Sequence, residues 1–168
     1  IPNRPTSAVG DCTFSGGSSF VLFSPESRLD PIGVIDLAYI DGATKNVYFQ
    51  TFSTITNTWG SRVTIGTNAN TNSGGGWPRG GHVSLTLDSS NAPHVVYVTN
   101  GSSNQLMYTN KTSGSWSTPV SIASGTNLMH PSMITALDGN LHLAWLDNSL
   151  ATHSTIKYAK HTSTGWST

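Results

Sequence analysis

Val83-Ser84-Leu85-Thr86-Leu87-Asp88, Ala92-Pro93-His94-Val95-Val96-Tyr97, Leu106-Met107-Tyr108 and Ser113-Gly114-Ser115-Trp116 are four short segments separated by turn residues, and they decide the fold because they recur. Downstream they return as Pro131-Ser132-Met133-Ile134-Thr135-Ala136-Leu137-Asp138, Asn140-Leu141-His142-Leu143-Ala144-Trp145, Ile156-Lys157-Tyr158 and Thr164-Gly165-Trp166. Upstream, Val34-Ile35-Asp36-Leu37-Ala38-Tyr39, Val47-Tyr48-Phe49 and Thr56-Asn57-Thr58-Trp59 fill the last three places, and Ser19-Phe20-Val21-Leu22-Phe23 is expected to fill the first. The step from Tyr39 to Tyr97 is 58 residues and that from Tyr97 to Trp145 is 48, the longer step containing a Gly-rich insertion.

The alternation of Val83, Leu85 and Leu87 is the period of a half-buried strand, and the connections are Asp-Gly, Asn-Gly or Ser/Asn clusters that read as hairpin turns. No stretch places apolar residues every three or four positions over three turns, so helix is excluded. Four short strands at a period of about 48 residues fit a propeller blade, for which WD40 repeats take ~40–45 residues and kelch repeats ~50. The sequence therefore predicts an all-β fold, a β-propeller segment of about three four-stranded blades. Blade 1 is expected at 18–81 with the insertion, blade 2 at 82–129 and blade 3 at 130–168, the last lacking its outer strand. The N-terminal segment, 1–17, is free to close a neighbouring blade. Propellers use ~4 to 8 blades, so three leave an incomplete ring. The expectation is a homo-oligomer, two chains head to tail giving six blades, or continuation of the polypeptide into further blades.

Residues 83–122 carry the repeat best, and their pattern resembles the sialidase-type (BNR-like) propeller repeats of secreted bacterial, archaeal and viral proteins. The resemblance covers about residues 18–168 and implies architecture, since that superfamily holds glycosidases, lectins, adhesins and scaffolds. The family's Asp-box reads Ser-x-Asp-x-Gly-x-Thr-Trp, whereas the turns before Trp59, Trp116 and Trp166 lack the aspartate. A sialidase-type site would also need three converging arginines, a tyrosine nucleophile with a glutamate partner, and an acid. This chain has Arg4, Arg28, Arg62 and Arg79, none at a repeated position, and Glu26 is its sole glutamate.

Composition narrows the partners. Charged residues make up 10% of the chain and balance to a net charge of zero, so no positive field draws it to nucleic acid or anionic lipid. No apolar run approaches the ~20 residues of a membrane span. A hydroxyl- and amide-rich surface points outside the cell or to a cell or virion surface. Ile1 in place of Met marks a processed product or a piece of a longer chain, and the single Cys12 excludes an internal disulfide framework.

Ligand contacts are expected at four residues. Trp77 and Arg79 lie in the insertion Ser73-Gly74-Gly75-Gly76-Trp77-Pro78-Arg79-Gly80-Gly81, and loops on a rigid scaffold carry binding residues disproportionately. That glycine run lacks the Lys-Ser/Thr of a phosphate loop. His82 and His130 match in the repeat, each just before an inner strand, as His94 and His142 match with Asp36. Imidazoles on adjacent blades suit a ligand or a divalent metal, although packing and turn bonding account for them as well. Asp88 and Asp138 read as matching turn residues whose carboxylates bond their own backbone. Trp59, Trp116 and Trp166 recur in register, which places them in the blade core or between blades, with stacking on a pyranose as the alternative role.

The functional expectation is an extracellular binding module that recognises glycan or another extracellular protein through the insertion loop and the grooves between blades. It works by binding rather than by catalysis and needs no cofactor, catalytic residue or metal. The alternatives are a fragment of a secreted sialidase-like glycoside hydrolase or polysaccharide lyase, and a structural module of a filament, virion or surface layer.

Overall fold

The computed structural model describes residues 22–71, 82–150 and 153–167. The 1–17 segment with Cys12, and the insertion that holds Trp77 and Arg79, lie outside the described residues. What is described is all β and forms three antiparallel sheets. The first runs β1 (Leu22–Leu29), β2 (Val34–Asp41) and β3 (Val47–Ser53), and its outer place is shared by β4 (Thr58–Trp59) and β5 (Val63–Gly66), both paired with β3. The second runs β6 (Val83–Leu87), β7 (Pro93–Val98), β8 (Asn104–Asn110) and β9 (Val120–Gly125). The third runs β10 (Leu128–Thr135), β11 (Leu141–Asp147), β12 (Thr155–Thr162) and β13 (Gly165–Ser167). Sequential up-and-down order within each sheet, repeated three times, makes them successive blades of an open propeller.

Alternation sets the packing. In the second sheet Val95 and Tyr97 point to one side and join Ala38, Ile40, Val47 and Phe49 of the first sheet, while Val96, Val98, Leu106 and Tyr108 point to the other and join Met133, Leu141, Leu143 and Trp145 of the third. Each of these two cores holds ten buried residues. A buried Val or Leu contributes about 1.5–3 kcal/mol and a turn hydrogen bond about 1 kcal/mol, so burial between sheets holds the stack together. Hydrogen bonds across the same gap fix the alignment: the Met133 N–H donates to the Ser84 hydroxyl, and the Thr86 and Thr135 hydroxyls meet at 3.1 Å.

Two details differ from the sequence reading. The first inner strand runs Leu22–Leu29, with a bulge between Phe23 and Glu26, instead of ending near Phe23; its polar Glu26-Ser27-Arg28 end disguises it. Residues 165–167, around the recurring Trp166, are a short fourth strand paired with 160–162, in the place that β4 holds in the first sheet. The turn partner of Asp88 is Asp30, not Asp138. Asp30 and Asp88 each precede a hairpin closed by the N–H three residues on, and in the third sheet that place is taken by Ala136. The Asp30 carboxylate accepts the Ile32 and Val34 N–H groups, and that of Asp88 accepts those of Ser90 and Ala92. Asp138, two residues further along its own turn, accepts the Asn140 N–H.

Candidate functional site

Between the first and second sheets, towards their outer strands, lies a cleft of about 620 Å³. Its first wall is β5 and the segment after it: Thr64, Ile65, Gly66, Thr67 and Asn68. Its second wall comes from Tyr97, Thr99, Gln105 and Met107, and its rim from residues 116–119. Among the described residues that line it, none is charged.

The walls are held by the repeat itself. Residues 68–70 cross to the second sheet, where Asn70 N–H donates to the Val98 carbonyl and Asn100 N–H to the Asn68 carbonyl. Asn68 adopts a left-handed backbone (φ 55°), which Asn tolerates better than most residues, and its side-chain amide donates to the Asn100 carbonyl at 3.2 Å. Tyr97 is buried flat against Gly66: a Cβ there would come within 2.5 Å of its ring. Burial holds its hydroxyl above the usual tyrosine range, against a smaller opposing effect of the Thr67 backbone. Trp116 is half-buried, meets Phe49 edge to face at 4.9 Å, and its Nε1–H has no acceptor among the described residues. One aromatic ring beside hydroxyls and primary amides is a donor and acceptor set for an uncharged, hydroxyl-rich ligand.

A second constellation repeats along the stack. His94 Nδ1 and the Tyr108 hydroxyl are hydrogen-bonded at 2.7 Å, and His94 Nε2 lies 3.4 Å from Asp88 Oδ2. Burial pushes His94 below the ordinary histidine range and Tyr108 up to about 12, so both are neutral near pH 7. An Asp-His-Tyr chain suggests an activated nucleophile, but a hydroxyl held that far up is the reverse of activated. The pairing also recurs as His142 Nδ1 with the Tyr158 hydroxyl at 2.7 Å, as expected of a device for packing blades.

In the first sheet the same position carries Asp36, paired with Thr51 as His94 is with Asn110. Burial, and then the charge of Asp30, raise Asp36 to about 6 against the attraction of Lys111. It is the one carboxyl among the described residues with a raised value.

The residues expected at a site are placed apart in character. His82 is buried just ahead of β6, its carbonyl accepting the Val98 N–H. His130 is exposed in the β10 bulge, with a left-handed backbone (φ 50°). Among the described residues no three His, Cys, Asp or Glu side chains are grouped to hold a metal ion, and no helix is long and apolar enough to cross a membrane. Sequence reasoning missed Asn68, Thr99 and Gln105, uncharged polar residues that carry no signal until the sheets bring them together.

No protein-family model matches the chain, and no curated protein matches it in sequence. Solved structures do. A Hadza microbial sialidase, Hz136, superposes with a TM-score of 0.61 at 16% identity over 86% of this chain, which spans about a third (36%) of the sialidase. A fucose lectin from Kordia zhangzhouensis, solved with methyl-fucoside, superposes with a TM-score of 0.53 at 15% identity, over 86% of this chain and 96% of the lectin. At such identities the likeness is one of fold, the β-propeller. It corrects the expectation of binding rather than catalysis, because the fold this chain shares is also that of an enzyme, the sialidase. Scarcity of arginine and glutamate weighed against one catalytic arrangement only, whereas glycoside hydrolysis in general asks for a pair of carboxyls.

Proposed function

We propose that this chain is a glycan-engaging portion of an extracellular carbohydrate-active propeller, and that the cleft between its first two sheets holds a neutral sugar. The observation that carries the reading is the cleft wall itself: Trp116 beside Asn68, Thr64, Thr99 and Gln105, with no charged side chain among the described lining residues. An indole stacks on the apolar face of a pyranose, and amides and hydroxyls exchange hydrogen bonds with its hydroxyl groups. Among the described residues the wall carries no cation, which favours neutral over carboxylate-bearing sugars. The fucose lectin and the sialidase are both carbohydrate-directed proteins, which supports the ligand class and the extracellular setting.

Asp36 favours hydrolysis as a second reading. A carboxyl raised to about 6 keeps its proton into mildly acidic solution, and Asp30 is close enough for its charge to contribute to the shift. A protonated carboxyl with a second one nearby is the pairing that glycoside hydrolysis uses.

One experiment addresses both readings. The purified chain is applied to an array of neutral and sialylated glycans, and the eluted glycans are then checked for cleavage. Retention of neutral glycans that falls at least tenfold in Gln105→Ala is the expected result, and cleavage lost in Asp36→Asn adds the second reading. Neither retention nor cleavage, or retention unaffected by Gln105→Ala, contradicts the proposal.

A further inference from the structure

Resting on the reading of the cleft as a neutral-sugar site, we propose that its occupant is an internal stretch of an oligosaccharide, about three rings lying along the cleft, and not one terminal sugar.

The second sheet sets the length. Gln105, Met107 and Thr109 stand at every second residue of β8 and so face the first sheet together, and Met107 packs against the core that those two sheets share. From Gln105 to Thr109 the strand advances about 14 Å, four residues at ~3.4 Å each. Hydrogen bonds fix both ends. At one, the Thr99 N–H donates to the Gln105 carbonyl and the Gln105 N–H to the Thr99 hydroxyl. At the other, the Thr109 hydroxyl donates to the Ser117 carbonyl at 2.8 Å, which brings the rim of residues 116–119 onto that end of the strand.

The first sheet runs alongside in the same order. Asn68 lies at the Gln105 end, since two hydrogen bonds join it to Asn100 and Asn100 follows Thr99. Thr64 lies at the Trp116 end, because its neighbour Val63 pairs with Phe49, whose ring Trp116 meets. Each end of the cleft therefore has its own hydrogen-bonding cluster: Asn68, Thr99 and Gln105 at one, Thr64, Ser117 and Thr118 beside the indole at the other. Between them Gly66 lies against the buried Tyr97, with Met107 paired beside it, a floor with few polar groups.

A pyranose is no longer than about two residues of strand, ~7 Å, so one ring bonded at either end leaves the other end in water. The volume agrees. At about 620 Å³ the cleft falls within the ~300–1,000 Å³ of sites that hold drug-sized ligands, room for several rings. Thr64, Asn68, Gln105 and Thr118 are all exposed, so both ends are open to solvent. An internal stretch needs that, because the rest of its chain must leave at each end.

Calorimetry with a length series tests this. Methyl glycosides of glucose, galactose, mannose, xylose and fucose are compared with their linear oligomers of two, three and four rings. In a series that binds, affinity should rise at least tenfold from one ring to three and level off at four. Gln105→Ala and Thr64→Ala should each weaken the three-ring ligand several-fold, and the double variant by the product of the two, as expected of sites so far apart. A methyl glycoside that binds as tightly as the three-ring ligand, and still depends on Gln105, overturns the extended occupant and leaves the neutral-sugar reading standing. Three-ring affinity unmoved by Thr64→Ala overturns it as well. Absence of binding in every series removes that reading and the extended occupant with it. If a variant fails to fold, the length series on the unaltered chain still decides.

Discussion

Asp36 is the residue whose chemistry departs furthest from its surroundings. Its carboxyl is held at about 6 by burial and the charge of Asp30, against an ordinary value of 3.8. Between those values the folded chain keeps a proton that the unfolded chain releases, so stability falls as pH rises through this window, and the full penalty applies above 6. Asp36→Asn removes the penalty. Its melting temperature should exceed that of the wild type at pH 7.5, and the difference should shrink as pH is lowered towards 4; equal melting at both pH values contradicts this. His94 and His161 act in the opposite sense. Burial lowers both, so their contribution is present above the ordinary histidine value and is lost as pH falls below it. Trp116 joins stability to the site. Truncating a buried aromatic costs ~3–5 kcal/mol, and for this half-buried ring Trp116→Ala should cost about 2–3 kcal/mol, a drop of roughly 5–10 °C in Tm. A melt unchanged in that variant places the ring outside the core.

At the scale of the element, the strands were legible and their edges were not. The alternation of Val83, Leu85 and Leu87, and the aromatics Tyr39, Tyr97 and Trp145, announce inner strands because burial on one or both faces leaves a periodic trace. The β10 bulge does not, since it extends the strand back through His130 to Leu128, ahead of the segment that begins at Pro131, and the three residues of β13 are too few to show a period. The cleft was legible only as a groove between blades. Its Gln105, Thr99 and Asn68 are uncharged polar residues with no pattern of their own, and Trp77 and Arg79 drew notice by standing in an insertion. Gly66 at the end of β5 offers a test of the wall. With Tyr97 buried behind it, the Cβ of Gly66→Ala meets the ring at 2.5 Å, and overpacking of this kind costs about 1–3 kcal/mol. Displacement of Tyr97 should also weaken glycan binding beyond what Gly33→Ala does, since Gly33 packs near Thr54, away from the cleft. Equal losses from the two variants would detach Tyr97 from the site.

For the whole molecule, three sheets stacked through two cores leave unlike faces at the ends of the stack, and the cleft sits inside the stack where the first core opens towards the outer strands. The most direct test of a neutral sugar in the cleft is a ¹H–¹⁵N spectrum of the indole N–H groups, recorded while a neutral oligosaccharide is titrated in. The five tryptophans give separate signals, assignable by single Trp→Phe variants. The Trp116 signal should move progressively and saturate, with those of Trp145 and Trp59 unchanged. A saccharide that binds the chain while leaving Trp116 unmoved contradicts the account.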